Sequence, residues 1–543
     1  MSPLPLASPA ALWFQGADRR LHRLAPDSDR LRWSADGVSV ALVPALGSSA
    51  RVSVRIESPD TPVRRLLLRW PARHPAGALF LGDHWERAYG DLQWRHLQPE
   101  RLLPWYFLAH DPDTGATSAA GVETGPAAFC AWTTDAEGVN LWLDLHNGGA
   151  PVLLGPRVLQ AATLVSAAWA APTTPFAAAR AFCRALCPAP RLPAGPVCGN
   201  NNWYYAYGEN FDASAVRRDA ALLAELAGDH PVRPFAVIDA GWTPGSVCPG
   251  GPWTAGDRIR FPDMPALASE FRALGVRPGV WTRLSATMRP DDAPHLLRPG
   301  ACPYAEKALD LSHPEVVALA RADTARLRSW GYELIKHDFS TFDHFGRWGS
   351  AMLDGELCAH DRPLHDPSRT NAEVLLAFYR AIREGAGDAL LIGCNTVGHL
   401  AAGLVELQRT GDDTSGRSWE RTRRMGVNTL AFRLPQHGAF FAADADCCAH
   451  TPATPWELDA RFLDLVARSG TPLFVSLDPR SLAPEVKSAA SAALRLALSG
   501  GEPGGLEPLD WLHNTCPTRW RAASGDFSLN WFPPEGAVPF ASP

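Results

Sequence analysis

A chain of 543 residues exceeds what one hydrophobic core can serve, so two or three domains are expected. Hydrophobic content of 46% and charged content of 20% are those of a soluble globular protein and exclude a disordered or fibrous chain. A formal net charge of −6 leaves no basic footprint for nucleic acid or an anionic membrane, so neither partner is expected.

Residues 1–187 read as an N-terminal β-sandwich of the large, supersandwich kind. The segments 31–35, 38–43, 51–57, 63–70, 127–132, 139–145 and 159–165 are short and β-branched or alternating, with Asp, Gly, Pro and Ser clusters between them. The stretch from Gly82 to Trp94 departs from this pattern. It crowds charges and aromatics into a loop, which suits equally a lip over a neighbouring domain's site or an interdomain contact. A predicted helix, 175–186, and the proline-rich run 188–196 form a linker. From there strands and helices alternate. Strands are predicted at 196–203, 235–239, 277–282, 333–338, 390–394, 405–409, 439–443 and 473–477. Helices are predicted at 213–227, 265–274, 314–330, 372–385 and 456–469. Eight such strands are the signature of a (β/α)8 barrel, placed here at 188–499. Between Cys394 and Val405 only a short turn fits. After a last helix, 485–498, residues 500–543 are too few for a core of their own, so a short C-terminal β region is expected to pack on the barrel.

The 11 cysteines are odd in number and irregularly spaced, which fits reduced thiols in a cytosolic protein. Met1 to Gly16 lacks a basic start and is broken by prolines, a poor signal peptide. No run reaches the roughly 18 apolar residues of a membrane span. A cytoplasmic location follows, and a homo-oligomer is left open.

In a barrel the C-terminal ends of the strands converge on one site. Here those ends carry Asn200 to Tyr205 with Trp203, Asp239 to Trp242, Trp281 with Arg283, Lys336-His337-Asp338, Cys394-Asn395, Arg409 to Asp413, and Asp444 with Asp446. Taken singly, a barrel-end Asp more often caps the next helix. As a set they describe a pocket with aromatic walls and many hydroxyl-binding groups. The 20 tryptophans against 8 tyrosines fit a sugar ligand. No GK[ST] or GxGxxG phosphate loop opens a helix, and no HExxH or histidine cluster offers a metal site, so no cofactor or metal is expected.

Two carboxylates without a cofactor are what glycoside hydrolysis requires. Strands four and six lie about 10 Å apart around a barrel. Inward side chains bring their carboxylates toward the roughly 5–5.5 Å of retaining enzymes, with the 6.5–9.5 Å of inverting ones also in reach. Lys336 shares a strand face with Asp338 and would keep it ionised. Asp412 beside Asp413 disfavours double ionisation, which would leave one of the two protonated as an acid.

These residues resemble the α-galactosidase clan of glycoside hydrolases, clan D. The chain is more similar to family 36, because of its large N-terminal β domain, and also similar to family 27. The motifs that carry the resemblance are Leu309 to Val316, Ile335-Lys336-His337-Asp338 and Arg409 to Trp419, with Ala443 to Cys447 and Ser469 to Ser476 in support. The resemblance implies that Asp338 is the nucleophile and Asp413, four residues after Arg409, the acid/base. It further implies sugar contacts from Lys336, Arg409, Cys394 and Asp239, and the strand-end residues Trp203, Trp242, Trp281 and Arg283, with Trp419, are further candidate contacts around the pocket. The implied activity is that of a retaining exo-acting glycoside hydrolase on α-D-galactosides. An α-N-acetylgalactosaminide, a β-L-arabinopyranoside or transglycosylation would use the same carboxylates. A non-catalytic carbohydrate-binding protein on the same barrel is the reading from another class. One departure bears on the sugar. The family's Asp-Asp-Gly-Trp is Asp239-Ala240-Gly241-Trp242 here, and the missing carboxylate removes charged hydrogen bonds worth about 1.5–3 kcal/mol each.

Overall fold

The computed structural model describes residues 2–46, 48–245, 247–298 and 307–537. Residues 538–543, the end of the predicted C-terminal region, lie outside the described residues.

The N-terminal part is two antiparallel sheets packed face to face, of six and eight strands. Alternation builds the interior. Val38, Val40 and Leu42 on one strand and Val52, Val54 and Ile56 on its neighbour are buried, while the residues between them face outward or sit half-buried. All seven strands predicted here form. Seven others went unread: Ala11–Gly16, Leu21–Arg23, Ala25–Pro26, Leu79–Gly82, Leu103–Pro104, Tyr106–His110 and Thr117–Val122. They are short, and their stability comes from pairing, as where Tyr106–His110 sits between two partners.

The central part is a closed ring of parallel strands: β1 (Cys198–Asn201), β2 (Phe235–Ile238), β3 (Arg277–Thr282), β4 (Leu334–His337), β5 (Leu390–Gly393), β6 (Leu407–Arg409), β7 and β8 (Leu473–Leu477). β8 pairs with β1 and closes the barrel. β7 differs from its sequence prediction. It is broken into Ala442–Asp444, which pairs with β6, and Cys447–His450, which pairs with β8. The break is at Ala445-Asp446, where Asp446 takes a left-handed φ of 70°. The turn expected between Cys394 and Val405 is a four-residue helix, Gly398–Ala401. Phe235, Val237, Leu334, Ile392, Leu407 and Phe474 fill the inside of the ring as a cluster separate from the main core. No described helix is long and apolar enough to cross a membrane.

The C-terminal residues form a three-stranded sheet held against the barrel by aromatics. Trp511 packs edge-on to Trp94, and the Trp419 indole N–H donates to the carbonyl of Trp531 at 2.8 Å.

The Gly82–Trp94 segment lies across the top of the barrel. Ala88 bonds through its N–H to Thr410 at 2.9 Å and accepts from Asp412 N–H at 2.9 Å, so the lip adds one bridge to the end of β6. Farther along it, Leu92 exchanges two hydrogen bonds with the Asn428 side chain, at 3.2 and 2.8 Å. Asn428 ends a stretch of π-helix, Arg423–Asn428, within a helix that sequence reasoning missed. Gly90 makes the close approach possible: its φ is +72°, and a Cβ there would meet the Arg424 carbonyl oxygen at 2.8 Å. Gly90→Ala should therefore lower stability by about 1–3 kcal/mol, read as a shift of the urea midpoint. Gly77→Ala, where a Cβ meets nothing within 4 Å, should shift it much less.

Candidate active site

At the end of β4 the alternation of a strand decides which side chains face inward. Lys336 and Asp338 point toward the barrel axis. His337 points the other way, against Phe378 and Tyr379, where burial pushes its pKa down to about 4. Asp338 is buried at 8% exposure and firmly oriented. One of its oxygens, Oδ2, accepts the Trp281 indole N–H at 3.0 Å. The other, Oδ1, accepts the backbone N–H groups of Phe339 at 2.7 Å and Asn395 at 3.0 Å. Phe339 turns the chain sharply with a φ of 64°, an uncommon conformation for a bulky residue and of the kind stored at functional sites. Burial alone would raise the Asp338 carboxyl. The nearby charges of Lys336 and Arg87 outweigh it and hold the group below the usual carboxylate range.

Lys336 is itself buried, and its ammonium donates to Asp239 Oδ2 at 2.7 Å. The Asn201 amide donates to the same oxygen, and Asp239 N–H donates to Asn202 at 2.9 Å, so β1 and β2 orient the carboxylate that holds the lysine. Asp239, Lys336 and Trp281 form the floor of a cavity of about 340 Å3. That is near the small end of ligand pockets, which run about 300–1,000 Å3, and suits one ring better than a chain.

Asp413 stands nearer the mouth, with 36% of its side chain exposed. Arg409 donates to it at 3.1 Å, and Arg409 also reaches Asp446 at 2.8 Å and the Cys394 sulfur at 3.4 Å. The kink in β7 explains Asp446. Its left-handed turn lets the carboxylate accept from Arg409, from Thr414 N–H at 2.8 Å and from the Tyr204 hydroxyl, which fixes the loop that carries Asp413. The expectation that Asp412 would keep one of the pair protonated meets a different arrangement. Asp412 is tied to Arg87 and Arg421, both at 2.8 Å. Burial would raise Asp413, but Arg409, Arg87, Lys336 and Arg421 together pull it down to about 2. The adjacent carboxylate is neutralised by its own arginines, and four cations decide the rest.

Arg87, from the lip, is the principal residue that sequence reasoning did not single out. Its guanidinium lies 2.8 Å from Asp412 and 3.9 Å from Asp413, 5.3 Å above the Trp348 ring. Tyr89, Trp348, Ser350, Phe339, Cys248, Arg421 and Asp412 complete the wall. The odd composition of Gly82–Trp94 was the only signal, and it does not say what the segment touches. The lip and the interdomain contact are one feature.

Of the residues singled out from sequence, Asp239, Trp203, Trp281, Lys336, Asp338 and Asp413 line this cavity. Arg409 and Cys394 lie just behind it, bonded to Asp413 or to each other. Three others are placed outside its lining. Trp242 is fully buried, its indole N–H on the Trp281 carbonyl at 2.9 Å. Arg283 forks Asp343 at 2.7 and 2.9 Å and lies over Phe339. Trp419 stacks on Trp531. Trp242 and Arg283 support the wall from the rear, through Trp281 and Phe339, while Trp419 packs on the C-terminal region.

No family model matches the sequence, and no curated protein does. Solved structures do match. An α-galactosidase from Thermus thermophilus in complex with p-nitrophenyl α-D-galactopyranoside is 19% identical, with 90% of this chain covering 96% of that one at a TM-score of 0.60. A family 36 α-galactosidase from Geobacillus stearothermophilus is 12% identical, with coverage of 91% and 76% and a TM-score of 0.62. An α-galactosidase from Lactobacillus brevis is 14% identical, with coverage of 90% and 72% and a TM-score of 0.57. The chain shares their fold. The likeness covers 90–91% of this chain, the sandwich and the barrel together.

Removing the Arg87 charge takes away a cation that favours the ionised form of both carboxylates. In Arg87→Met, Asp338 and Asp413 should therefore titrate at higher pH than in the wild type, as followed by carbon NMR of the side-chain carboxyls. Unchanged titration of both would show that Arg87 does not act on them.

Proposed function

We propose that the protein is a retaining, exo-acting glycoside hydrolase that releases terminal α-D-galactosyl residues or a closely related sugar. The observation that carries this reading is a small cavity lined by four carboxylates, of which Asp239 and Asp412 are held in close ion pairs, Asp338 is buried, oriented and held ionised, and Asp413 stands at the mouth. Asp338 attacks the anomeric carbon, and Asp413 serves the leaving oxygen and then the incoming water. Lys336 and Asp239 on the floor suit the hydroxyls of the ring, and Trp203, Trp281 and Trp348 supply faces for it. An enclosed floor favours a chain end over a mid-chain sugar, hence exo action.

The resting site holds Asp413 as a carboxylate, the form needed for the second step. A sugar ring in the cavity displaces water from it and pushes its pKa upward, toward the protonated form needed for the first. Once Asp338 is glycosylated its negative charge is gone, Asp413 loses a repelling neighbour, and the base form returns.

The sugar is the finer part of the reading. Ala240 lines the cavity beside Asp239, so that wall presents one carboxylate and a methyl group. Galactose remains favoured, and an N-acetylated or pentopyranose relative of it fits the same wall. Aryl α-galactoside, α-N-acetylgalactosaminide, β-L-arabinopyranoside and α-glucoside, assayed side by side, separate these. Turnover of the first three at most is expected, and binding without cleavage of any would replace the enzyme by a carbohydrate-binding protein.

The roles separate on an activated aryl glycoside, whose leaving group needs no proton. Asp338→Ala should have no turnover. Asp413→Ala should release a burst of phenol and then stall, losing about 100- to 10,000-fold in steady state, with azide restoring the rate as a glycosyl azide. Asp412→Ala should lose much less; the reverse order would move the acid/base to Asp412.

A further inference from the structure

Glu86 and Arg87 are neighbours on the lip and serve opposite sides of it. Arg87 faces the cavity. Glu86 turns down into the protein, where only 1% of it is exposed. A carboxylate buried this completely must be matched donor by donor. Three donors converge on it from three segments. The Tyr89 hydroxyl of the lip and Gly349 N–H, at 2.9 Å, both donate to Oε1. The side-chain amide of Asn395 donates to Oε2. The approach is too close for any other residue at 349, because a Cβ there would lie 2.3 Å from the Glu86 side chain.

Both barrel partners lead to the candidate catalytic carboxylate or to the cavity wall. Asn395 is fully buried at the end of β5, and its backbone N–H is one of the two that fix Asp338 Oδ1, at 3.0 Å. The Asn395 side chain is spanned between Glu86 on one side and the Phe342 N–H, at 3.0 Å, on the other. Gly349 sits between Trp348 and Ser350, which line the cavity. A carboxylate from the sandwich domain thus holds the segment that orients a carboxylate in the barrel.

We propose that Glu86 is a positioning residue for the reaction: through Asn395 it sets the angle at which Asp338 meets the anomeric carbon, and through Gly349 it seats the Trp348 wall. This rests on the glycosidase reading above. It makes the N-terminal sandwich a working part of the site by way of a residue that never touches substrate. The chemistry depends on hydrogen-bond polarity. All three partners donate, so the acceptor has to be a carboxylate, and an amide in its place would turn an N–H2 toward another donor.

Glu86→Gln and Asn395→Asp, singly and together, test this with an aryl glycoside that the wild type cleaves. Displacing a reacting group by about 1 Å from a distance costs on the order of 100-fold. Each single variant should therefore lose about 10- to 100-fold in kcat with KM little changed. Glu86→Gln sets donor against donor, and Asn395→Asp sets carboxylate against carboxylate. The double variant exchanges the two groups: the amide introduced at position 86 then donates to the carboxylate introduced at position 395, and one carboxylate is kept in all. It should recover kcat above both single variants, a coupling that a mere loss of packing does not produce. Thermal melting of all four proteins accompanies the kinetics. Normal kcat in Glu86→Gln, a loss carried by KM, or a double variant no better than the worse single one would each overturn the proposal. A wild type that cleaves no glycoside would overturn the glycosidase reading, and this proposal with it.

Discussion

Lys336, Arg87 and Arg409 place three cations almost out of reach of water at the end of one barrel. Charges so buried persist only where opposite charges and hydrogen bonds replace the solvent they have lost. Asp239 answers Lys336, Asp412 answers Arg87, and Asp446 answers Arg409, each at 2.7–2.8 Å. Asp338 and Asp413 are left as the two carboxylates whose environment is set by these cations without being consumed by a single tight ion pair. Breaking one buried pair leaves an uncompensated charge and costs about 3–5 kcal/mol. The network constrains the fold as strongly as it prepares a site. It draws on four strands, β2, β4, β6 and β7, and the lip, so the strand ends cannot shift independently.

Much of this was legible in the sequence because strand alternation is strict. Lys336 and Asp338 share a face and His337 does not, which is why an ammonium and a carboxylate at that tip cannot be packing residues. The eight strands were readable from apolar runs bounded by turns. β7 was the exception: two aspartates ended the apolar run early, and only the left-handed Asp446 shows that the strand resumes three residues later. Tryptophans were the least legible residues. Trp203 and Trp281 line the cavity, while Trp242 sits behind Trp281 and Trp419 packs on Trp531, differences set by tertiary packing rather than by local sequence. Likewise Asp412 and Asp413 are equivalent as a pair in sequence. Arg421 and Arg87 make them unequal, and both arrive from elsewhere in the chain.

The lip shows why a domain reading from sequence stops short. Gly82–Trp94 belongs by order to the sandwich, yet its hydrogen bonds run to Thr410, Asp412, Asn428 and Asn395 of the barrel. Local propensity has nothing to say about such a segment, because its conformation is set by what it lies on. The close contacts at Gly90 and Gly349 are the cost of that fit, each a place where backbone meets a neighbour with no room for a side chain. On the glycosidase reading, the sandwich is no spectator to the barrel: it supplies a cation at the mouth and a carboxylate beneath it.

Asp413 makes the remaining step of the reading quantitative in sign. Cations pull its pKa down to about 2, far from what a proton donor at neutral pH requires. On the glycosidase reading, a site poised this way favours the base and is pushed toward the acid by the loss of water when a ring enters. That places the burden on the enclosure of the cavity, hence on Trp348, Tyr89 and the lip that carries Arg87. A loosened lip would weaken the pull of Arg87 on Asp413, which favours the acid, and would also let water back, which opposes it. The two effects have opposite signs. Burial raises Asp413 and Asp338 while Arg87 lowers both, so on the glycosidase reading the lip acts on the two carboxylates in both directions at once, as a seal and as a charge.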